Sequence, residues 1–290
     1  MSVRAEGKNL AGRSRGASAP AALARRGVLK LALGGAVAAP ALAGATRAVA
    51  SPHPAQALAS QTVESAELLQ QSPIDIRLGS VTTVSGLPQL KVRYSTDTSV
   101  RTHYVSKDED QPLGCSIRGH EETEETEVEP GAGDVVLDGV TYHLVQFHFH
   151  TPSEHLVQGR AAPLEQHLVH QSDDGRLLVI GVLLTAGPAD EVDRVLADLP
   201  NECGRSIDVH HFNLRKLLPV NLATVRYQGS LTTAPFTEGV QWFLTVPQTV
   251  SAAGIRAFQT VFPEGDSRPV QPLNDRRILA DVRWSPGWSR

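Results

Sequence analysis

Polar and apolar residues alternate in the segment QFHFH, residues 146–150, with the two-residue period of a β-strand. In such a strand Gln146, His148 and His150 point to one face, and the two phenylalanines between them point to the other. One face therefore offers a row of polar side chains, while the opposite face is apolar enough to pack into a core.

A second alternating segment, LEQHLVH at residues 164–170, follows downstream. The same period places Glu165, His167 and Val169 on one face of that strand. If the two segments are neighbouring strands, the three histidines at positions 148, 150 and 167 can converge on one point.

Three imidazoles around one point are typical of a catalytic zinc site, which keeps a fourth position open for water or substrate. Gln146 and Glu165 each precede one of the histidines by two residues on the same face. There they could hydrogen-bond the far nitrogen of that ring and fix its tautomer. The alternative is an ordinary polar strand face. We favour a site for Zn²⁺, because an amide and a carboxylate accompany three histidines and because the opposite faces are apolar.

Other patterns predict further strands and two short helices. Residues 135–142 indicate a hairpin that turns at Asp138-Gly139, and the apolar run 177–184 indicates a central strand buried on both faces. A helical period over residues 190–199 ends at Pro200, and Ser251 could cap a second helix. Many strands with few helices predict a β-rich α+β domain.

The region from residue 96 to residue 129 is polar and contains six glutamates between positions 121 and 129. A run of like charges is usually solvated. We therefore expect this acidic run to be a solvated edge of the domain rather than a site.

The chain has 290 residues, of which 41% are hydrophobic, enough for one large domain. Its first 50 residues contain eight Lys or Arg and a single acid. The remainder carries 19 of the 27 basic and 30 of the 31 acidic side chains, a formal net charge of −11 with neutral histidines. A nucleic-acid duplex or an anionic membrane is therefore not an expected partner.

The first 50 residues resemble a twin-arginine export signal. Arg25 and Arg26 precede an apolar run over residues 31–45, and Ala48-Val49-Ala50 fits a small-residue cleavage site. A membrane anchor is the alternative, but this run is too short to span a bilayer. We predict a signal peptide at 1–50, a flexible linker at 51–64, a catalytic domain at 65–290, and export to the cell envelope, periplasm or medium without a stable membrane anchor.

Two cysteines, Cys115 and Cys203, complete the candidate chemistry. Their spacing is not that of a zinc site. In an exported protein an even number of cysteines favours a disulfide, whereas two unrelated thiols would be expected in a reducing compartment.

Several motifs together resemble the bacterial type of the alpha-class carbonic anhydrases. They occur in the order found in that family, from residue 71 to residue 276: QSPIDI, QFHFHTPSEH, PLEQHLVH, GSLTTAP and QPLNDR. The resemblance implies a single domain with a large, twisted, mixed and mostly antiparallel central β-sheet and short peripheral helices. It also places the two cysteines in neighbouring regions of the fold, as their pairing requires.

The resemblance further implies the reversible hydration of carbon dioxide to bicarbonate and a proton by a zinc-bound hydroxide. Zinc would be held by His148, His150 and His167. Thr232 would orient the hydroxide and pass its own proton to Glu154. An apolar wall would hold carbon dioxide, with a threonine beside it for bicarbonate. These pocket residues are Val169, Val179, Leu231 and Trp242 for the wall and Thr233 for bicarbonate.

Three points remain open in the sequence. Gly119-His120 is the nearest counterpart of the family's proton-transfer histidine, but its neighbours Glu121 and Glu122 favour a plain surface residue, and we predict that turnover depends on buffer. Asp266 replaces the usual asparagine whose backbone carbonyl supports the histidine at position 150. A non-catalytic zinc-binding module on the same fold is the alternative function. A serine hydrolase is not expected from Ser153-Glu154-His155, because no G-x-S-x-G motif is present.

Overall fold

The computed structural model describes residues 70–105, 123–200 and 205–287. All described residues belong to one compact unit. None of the helices in these ranges is long and apolar enough to cross a membrane.

The described ranges contain 15 strands and two α-helices, with 3-10 turns at Leu78–Ser80 and Leu214–Leu217. The strands are β1 (Asp75–Ile76), β2 (Val81–Val84), β3 (Lys91–Tyr94), β4 (Thr98–Val105), β5 (Thr123–Val128), β6 (Gly133–Leu137), β7 (Val140–His150), β8 (Leu156–Val157), β9 (Leu164–Ser172), β10 (Leu177–Ala186), β11 (Ser206–Phe212), β12 (Val225–Ser230), β13 (Glu238–Leu244), β14 (Gln248–Val250) and β15 (Ile278–Asp281). The helices are α1 (Val192–Leu196) and α2 (Ala252–Val261).

Most strands of the described chain form one 13-stranded sheet, whose main path runs β11-β4-β5-β7-β9-β10-β13-β12-β15-β2. The pairs β10–β13 and β15–β2 are parallel, whereas the pairs from β11 through β10 are antiparallel. Strands β1 and β8 form a separate two-stranded sheet. The prediction of a large mixed, mostly antiparallel sheet with few short helices is therefore confirmed.

The hairpin between β6 and β7 turns at the predicted dipeptide. Asp138 and Gly139 have φ values of 49° and 80°, the left-handed conformation that two-residue hairpin turns require. The turn sets the register of the β6–β7 pair, in which Leu137 lies opposite Val140. The strand that follows runs on for 11 residues into the histidine motif.

The apolar run at residues 177–184 forms the interior strand β10, as predicted. It pairs with β9 on one side and with β13 and β14 on the other. Its residues from Leu178 to Leu184 are buried, because the sheet is covered on both faces.

Both predicted helices are present. Ser251 caps α2 by accepting a hydrogen bond from the Gly254 amide at 2.9 Å, and Ile255 and Phe258 are buried. The first helix is shorter than its apolar period indicated, since α1 covers only five residues before Pro200.

Among the described residues, the buried apolar side chains form two clusters. The larger includes Phe147 and Phe149, together with Phe258 of α2. The smaller gathers Trp242, Val179 and Ile74 with apolar residues of β12, β13 and β15. The alternation at the end of β7 thus puts Phe147 and Phe149 into the larger cluster and turns His148 and His150 to the other face.

The expectation of a solvated edge for the acidic run is wrong where that run is described. Strand β5 lies inside the sheet between β4 and β7. Glu124 is fully buried and Glu125 is half-buried, although Glu127 and Glu129 are exposed. Local charge did not reveal this arrangement, because it depends on pairing with β4 and β7, which lie outside the acidic run.

Candidate metal centre

Strands β7 and β9 are antiparallel neighbours, and their register brings the two histidine motifs together. His148 lies directly opposite His167, and His150 lies opposite Glu165. Directly opposed residues project from the same face of a sheet. The faces deduced from sequence therefore coincide.

One nitrogen from each of His148, His150 and His167 lies within 4.8 Å of the other two, so that the group could hold a metal ion. The ring centroids are 4.9–5.2 Å apart. All three residues are buried, with exposed fractions of 8%, 2% and 1%. Three imidazoles thus converge on one protected point.

The far nitrogen of each ring faces an oxygen acceptor. His148 Nδ1 lies 2.8 Å from Gln146 Oε1, and His167 Nε2 lies 3.0 Å from Glu165 Oε1. His150 Nδ1 lies 3.3 Å from the backbone carbonyl oxygen of Asp266. Each of these nitrogens is therefore the N–H donor, which leaves the other nitrogen of every ring with a lone pair.

Whether the site suits a cation depends on the surroundings of these three lone pairs. His167 Nδ1 and His148 Nε2 face each other at 3.3 Å, although neither carries a proton in these tautomers. His150 Nε2 is buried without a hydrogen-bond partner in the described chain. A cation bound by all three nitrogens satisfies them at once, and neutral imidazoles suit Zn²⁺.

Carboxylates add negative charge around the same point. Glu154 Oε2 lies 3.7 Å from His150 Nε2 and 3.8 Å from His167 Nδ1. Burial by itself would lower the pKa of His150, but Glu154 and Asp266 outweigh it and raise that pKa to about 9. The pKa of His167 is lowered, mainly by burial. The carboxylates thus favour a positive charge at the centre of the site, either a proton on His150 or a cation bound in its place.

A buried network that the sequence did not reveal extends from Glu165. Its Oε1 accepts from His155 Nδ1 at 2.7 Å as well as from His167, and its Oε2 accepts from the His155 amide at 2.8 Å. Burial alone would raise the pKa of Glu165, but the two histidines hold that pKa well below its usual range. Glu165 is therefore an ionised acceptor that fixes two rings.

The network continues beyond His155 to the start of the domain. His155 Nε2 lies 2.6 Å from the Tyr227 hydroxyl, which lies 2.8 Å from Ser72 Oγ. Burial raises the pKa of Tyr227 well above its usual value, so the phenol stays protonated and donates to His155. The only sequence signal was the histidine in the SEH triplet. Ser153 donates instead to the backbone carbonyl of His155 at 2.8 Å, and no serine–histidine pair is formed there.

The four predicted wall residues lie together. Val179 and Trp242 are buried in the smaller cluster, and Val169 and Leu231 pack against it half-buried. The Trp242 ring lies 4.9 Å from the His167 ring. An apolar surface therefore borders the candidate ligand His167.

Thr232 is buried and Thr233 is half-buried, in the loop between β12 and β13. The expected hydrogen bond from Thr232 to Glu154 is not made among the described residues. Glu154 Oε1 instead accepts from the Arg268 amide at 2.9 Å, and Glu154 Oε2 is buried without a hydrogen-bond partner. The sequence predicted the two residues but not this geometry.

Three predicted residues lie outside the described ranges: His120, Cys115 and Cys203. The proton-transfer role of His120 and the disulfide stay predictions.

Three buried histidines on the face of a large mixed sheet, each oriented by an oxygen acceptor, define a protein of the β-rich α+β class with a candidate metal site. The chain belongs to the eukaryotic-type carbonic anhydrase family, whose model matches residues 56–282. The resemblance deduced from the motifs is thereby confirmed.

Individual relatives agree with this assignment. The chain is 39% identical to a carbonic anhydrase of Pectobacterium carotovorum over 56% of its own length and 66% of that relative. It is 34% identical to a carbonic anhydrase of Neisseria gonorrhoeae, covering 72% of this chain and 76% of the relative. Among solved structures, the alpha-carbonic anhydrase of Thermovibrio ammonificans in complex with the inhibitor sulfanilamide is similar with a TM-score of 0.61, at 35% identity over 72% of this chain and 86% of that one.

Proposed function

We propose that this protein catalyses the zinc-dependent, reversible hydration of carbon dioxide to bicarbonate and a proton. The observation that carries the proposal is the convergence of three imidazole lone pairs from His148, His150 and His167, with the opposite nitrogen of each ring held by an oxygen. When bound, zinc supplies hydroxide at neutral pH by lowering the pKa of a coordinated water to about 7, the value established for carbonic anhydrases.

The residues around the centre would then position the reactants. Carbon dioxide is apolar, and the wall of Val179, Trp242, Val169 and Leu231 offers it a dry surface beside the histidines. Thr233 is half-buried and lies two residues after Leu231 of this wall. It would hydrogen-bond the bicarbonate product.

Thr232 would orient the hydroxide by accepting its hydrogen bond. It can do so only if its own proton points elsewhere, and Glu154 Oε2 is a buried acceptor with no partner in the described chain. A single preorganised hydrogen bond of this kind is worth roughly a hundredfold in rate or more. The chain itself would thus fix the tautomers of the histidines, orient the hydroxide and offer carbon dioxide a desolvated surface.

The test is metal analysis of the purified protein combined with a carbon dioxide hydration assay before and after chelation. We expect one zinc per chain, activity that is lost on chelation and restored by zinc, and inhibition by sulfanilamide. His150→Ala should lose both zinc and activity, whereas Thr232→Ala should keep zinc and lose about a hundredfold or more in rate.

Stoichiometric zinc without hydration in the unaltered protein would instead identify a non-catalytic zinc-binding module. Full activity in His150→Ala would refute the ligand assignment.

We also propose that the chain is exported through the twin-arginine-type signal in residues 1–50. The support is the Arg25-Arg26 pair, the apolar run and the Ala48-Val49-Ala50 cleavage motif. Amino-terminal sequencing of protein recovered outside the cytoplasm should begin near Ser51. The Cys115–Cys203 disulfide belongs to the same proposal, and two titratable thiols in the unfolded, unreduced protein would contradict it.

A further inference from the structure

Hydration of carbon dioxide leaves one proton per turnover, which must pass from the centre to solvent. The three histidines at the centre cannot carry it, because one nitrogen of each ring faces an oxygen acceptor and the other faces the common point. A separate proton-transfer group is therefore needed. This inference rests on the proposed function.

A row of three residues crosses the sheet from this centre. In the β5–β7 pair Glu125 lies directly opposite His148, and in the β4–β5 pair His103 lies directly opposite Glu125. Directly opposed residues share a face of the sheet. His103 therefore projects from the same face as the candidate metal ligands, although it is 45 positions from His148 in the chain.

The row is short enough for proton transfer through water. Adjacent strands are about 4.8 Å apart, so His103 and His148 are separated by about 10 Å at the backbone. His103 is half-buried, and its ring makes no hydrogen bond in the described part of the chain. Its side chain thus lies on the face of the sheet that carries the centre and is partly exposed, with both ring nitrogens available to water molecules.

We propose that His103 is the proton-transfer residue of this site. One ring nitrogen accepts the proton released by hydration through a chain of water molecules, and the other nitrogen releases a proton to buffer. The ring ends neutral in the opposite tautomer and returns by a flip or by tautomeric exchange. No bond other than N–H and O–H is made or broken, and no oxidant or further reactant is required. Histidine is the side chain suited to this role near neutral pH.

Charged groups around His103 favour the arrival of a proton. On β5, Glu125 lies directly opposite and Glu127 lies one pair further along the same face. On β11, Ser206 lies opposite and Asp208 lies one pair along. The nearest cation on β4, Arg101, is paired with Asp208 at 2.7 Å, which offsets its charge. A cationic His103 ring is thus surrounded by more negative than positive charge.

Other histidines in the described ranges are less suited. His143 is bonded to Asp134 at 2.7 Å, and His155 and His170 are fully buried with both ring nitrogens bonded. His210 lies on β11, three strands from β7 along the sheet, and is bonded to Ser99 at 3.0 Å.

The experiment compares wild type, His103→Ala and the control His210→Ala, which removes an exposed histidine of β11. Hydration is measured in dilute buffer that lacks imidazole and again as imidazole is added. In His103→Ala we expect kcat to fall roughly tenfold or more, kcat/KM to stay unchanged, and imidazole to restore kcat. The control should behave as wild type. A lower kcat with an unchanged kcat/KM identifies a defect in proton transfer, because a merely structural defect would lower kcat/KM and would not respond to imidazole.

A second readout does not depend on activity. Nuclear magnetic resonance of the His103 ring nitrogens in the zinc-loaded protein should show both neutral tautomers, because neither nitrogen is bonded to the described part of the chain and the proposal needs each nitrogen to carry the proton in turn. A single fixed tautomer would overturn the proposal.

Unchanged kcat in His103→Ala, with an active wild type, overturns this proposal alone, as does a loss that imidazole does not rescue. If His120→Ala shows the imidazole-rescued loss and His103→Ala does not, the proton-transfer residue is His120. An inactive wild type with stoichiometric zinc overturns the proposed function as well.

Discussion

Glu165 makes three contacts that the sequence could only partly anticipate. Its position two residues before His167 predicted one hydrogen bond. The structure adds two bonds from His155, one from the ring and one from the backbone amide. One carboxylate thus sets the tautomers of a candidate ligand and of a ring outside the site.

Replacing Glu165 by Gln should weaken zinc binding by roughly 10- to 100-fold, because an amide cannot accept from both rings and from the His155 amide without turning an N–H₂ group toward a donor. Competition with a zinc-binding dye measures this change. The control is Glu264→Gln, which alters an exposed glutamate beyond α2. Equal zinc affinity in wild type and Glu165→Gln would contradict the role assigned to this carboxylate.

At the scale of elements, β12 ends beside the segment that precedes β1. The ladder between β12 and β13 is irregular between Gly229 and Ser230. There Ser230 Oγ accepts from the Ser72 amide at 2.9 Å, and Ser72 Oγ accepts from the Ser230 amide at 3.1 Å. These bonds join the amino-terminal segment of the described chain to the end of β12, next to the buried network of Glu165.

Gly229 has no space for a side chain at this junction. A Cβ there would lie 2.1 Å from Ser72 Oγ, 2.9 Å from the Tyr227 ring and 3.0 Å from the Trp242 ring. Gly229→Ala should therefore lower the free energy of unfolding by about 1–3 kcal/mol through overpacking. Urea unfolding measures the loss. Gly79→Ala, where a Cβ would meet no atom within 4 Å, is the control. A loss no larger than that of Gly79→Ala would contradict the prediction.

At the scale of the whole molecule, the sheet has a candidate metal site on one face and a buried polar pair on the other. His170 Nε2 lies 2.6 Å from the Tyr94 hydroxyl, and His170 Nδ1 lies 3.2 Å from the Leu178 carbonyl. Burial lowers the pKa of His170 to about 4. The native ring therefore stays neutral at pH values where an unfolded chain would protonate it.

This difference makes the fold sensitive to acid. Between pH 6.5 and pH 4 the unfolded chain binds one more proton at this position, so the stability contributed by the neutral ring is lost as the pH falls. The loss amounts to about 3 kcal/mol by pH 4. In His170→Gln the free energy of unfolding should be lower at pH 7 but should fall less steeply with acid.

Urea unfolding of both proteins at several pH values measures the two slopes. Any loss of metal from the candidate site at low pH affects wild type and variant alike, so the difference between them isolates His170. Parallel pH profiles would contradict the assignment.

Local pattern was sufficient wherever neighbours in sequence decide the structure. The alternation in β7 and β9 predicted the faces of Gln146, Glu165 and the histidines. Asp138-Gly139 predicted a turn because its left-handed backbone is a local property. Ser251 predicted the start of α2 because a cap bonds an amide three residues away.

Long-range pairing decided the rest. The acidic run became an interior strand, and Glu154 bonded the Arg268 amide, because the partners come from parts of the chain that no local period relates. The His155–Tyr227–Ser72 network spans 155 positions for the same reason.

By itself the sequence determined the family, the three candidate ligands, the class of fold and the secondary structure of the most regular segments, since each depends on residue type at short spacing. Only the tertiary structure decided that His103 and Glu125 extend the row of His148 and that Glu165 bonds two rings. These features depend on strand order and register. Both are set by packing of the whole sheet and are not encoded in any single strand.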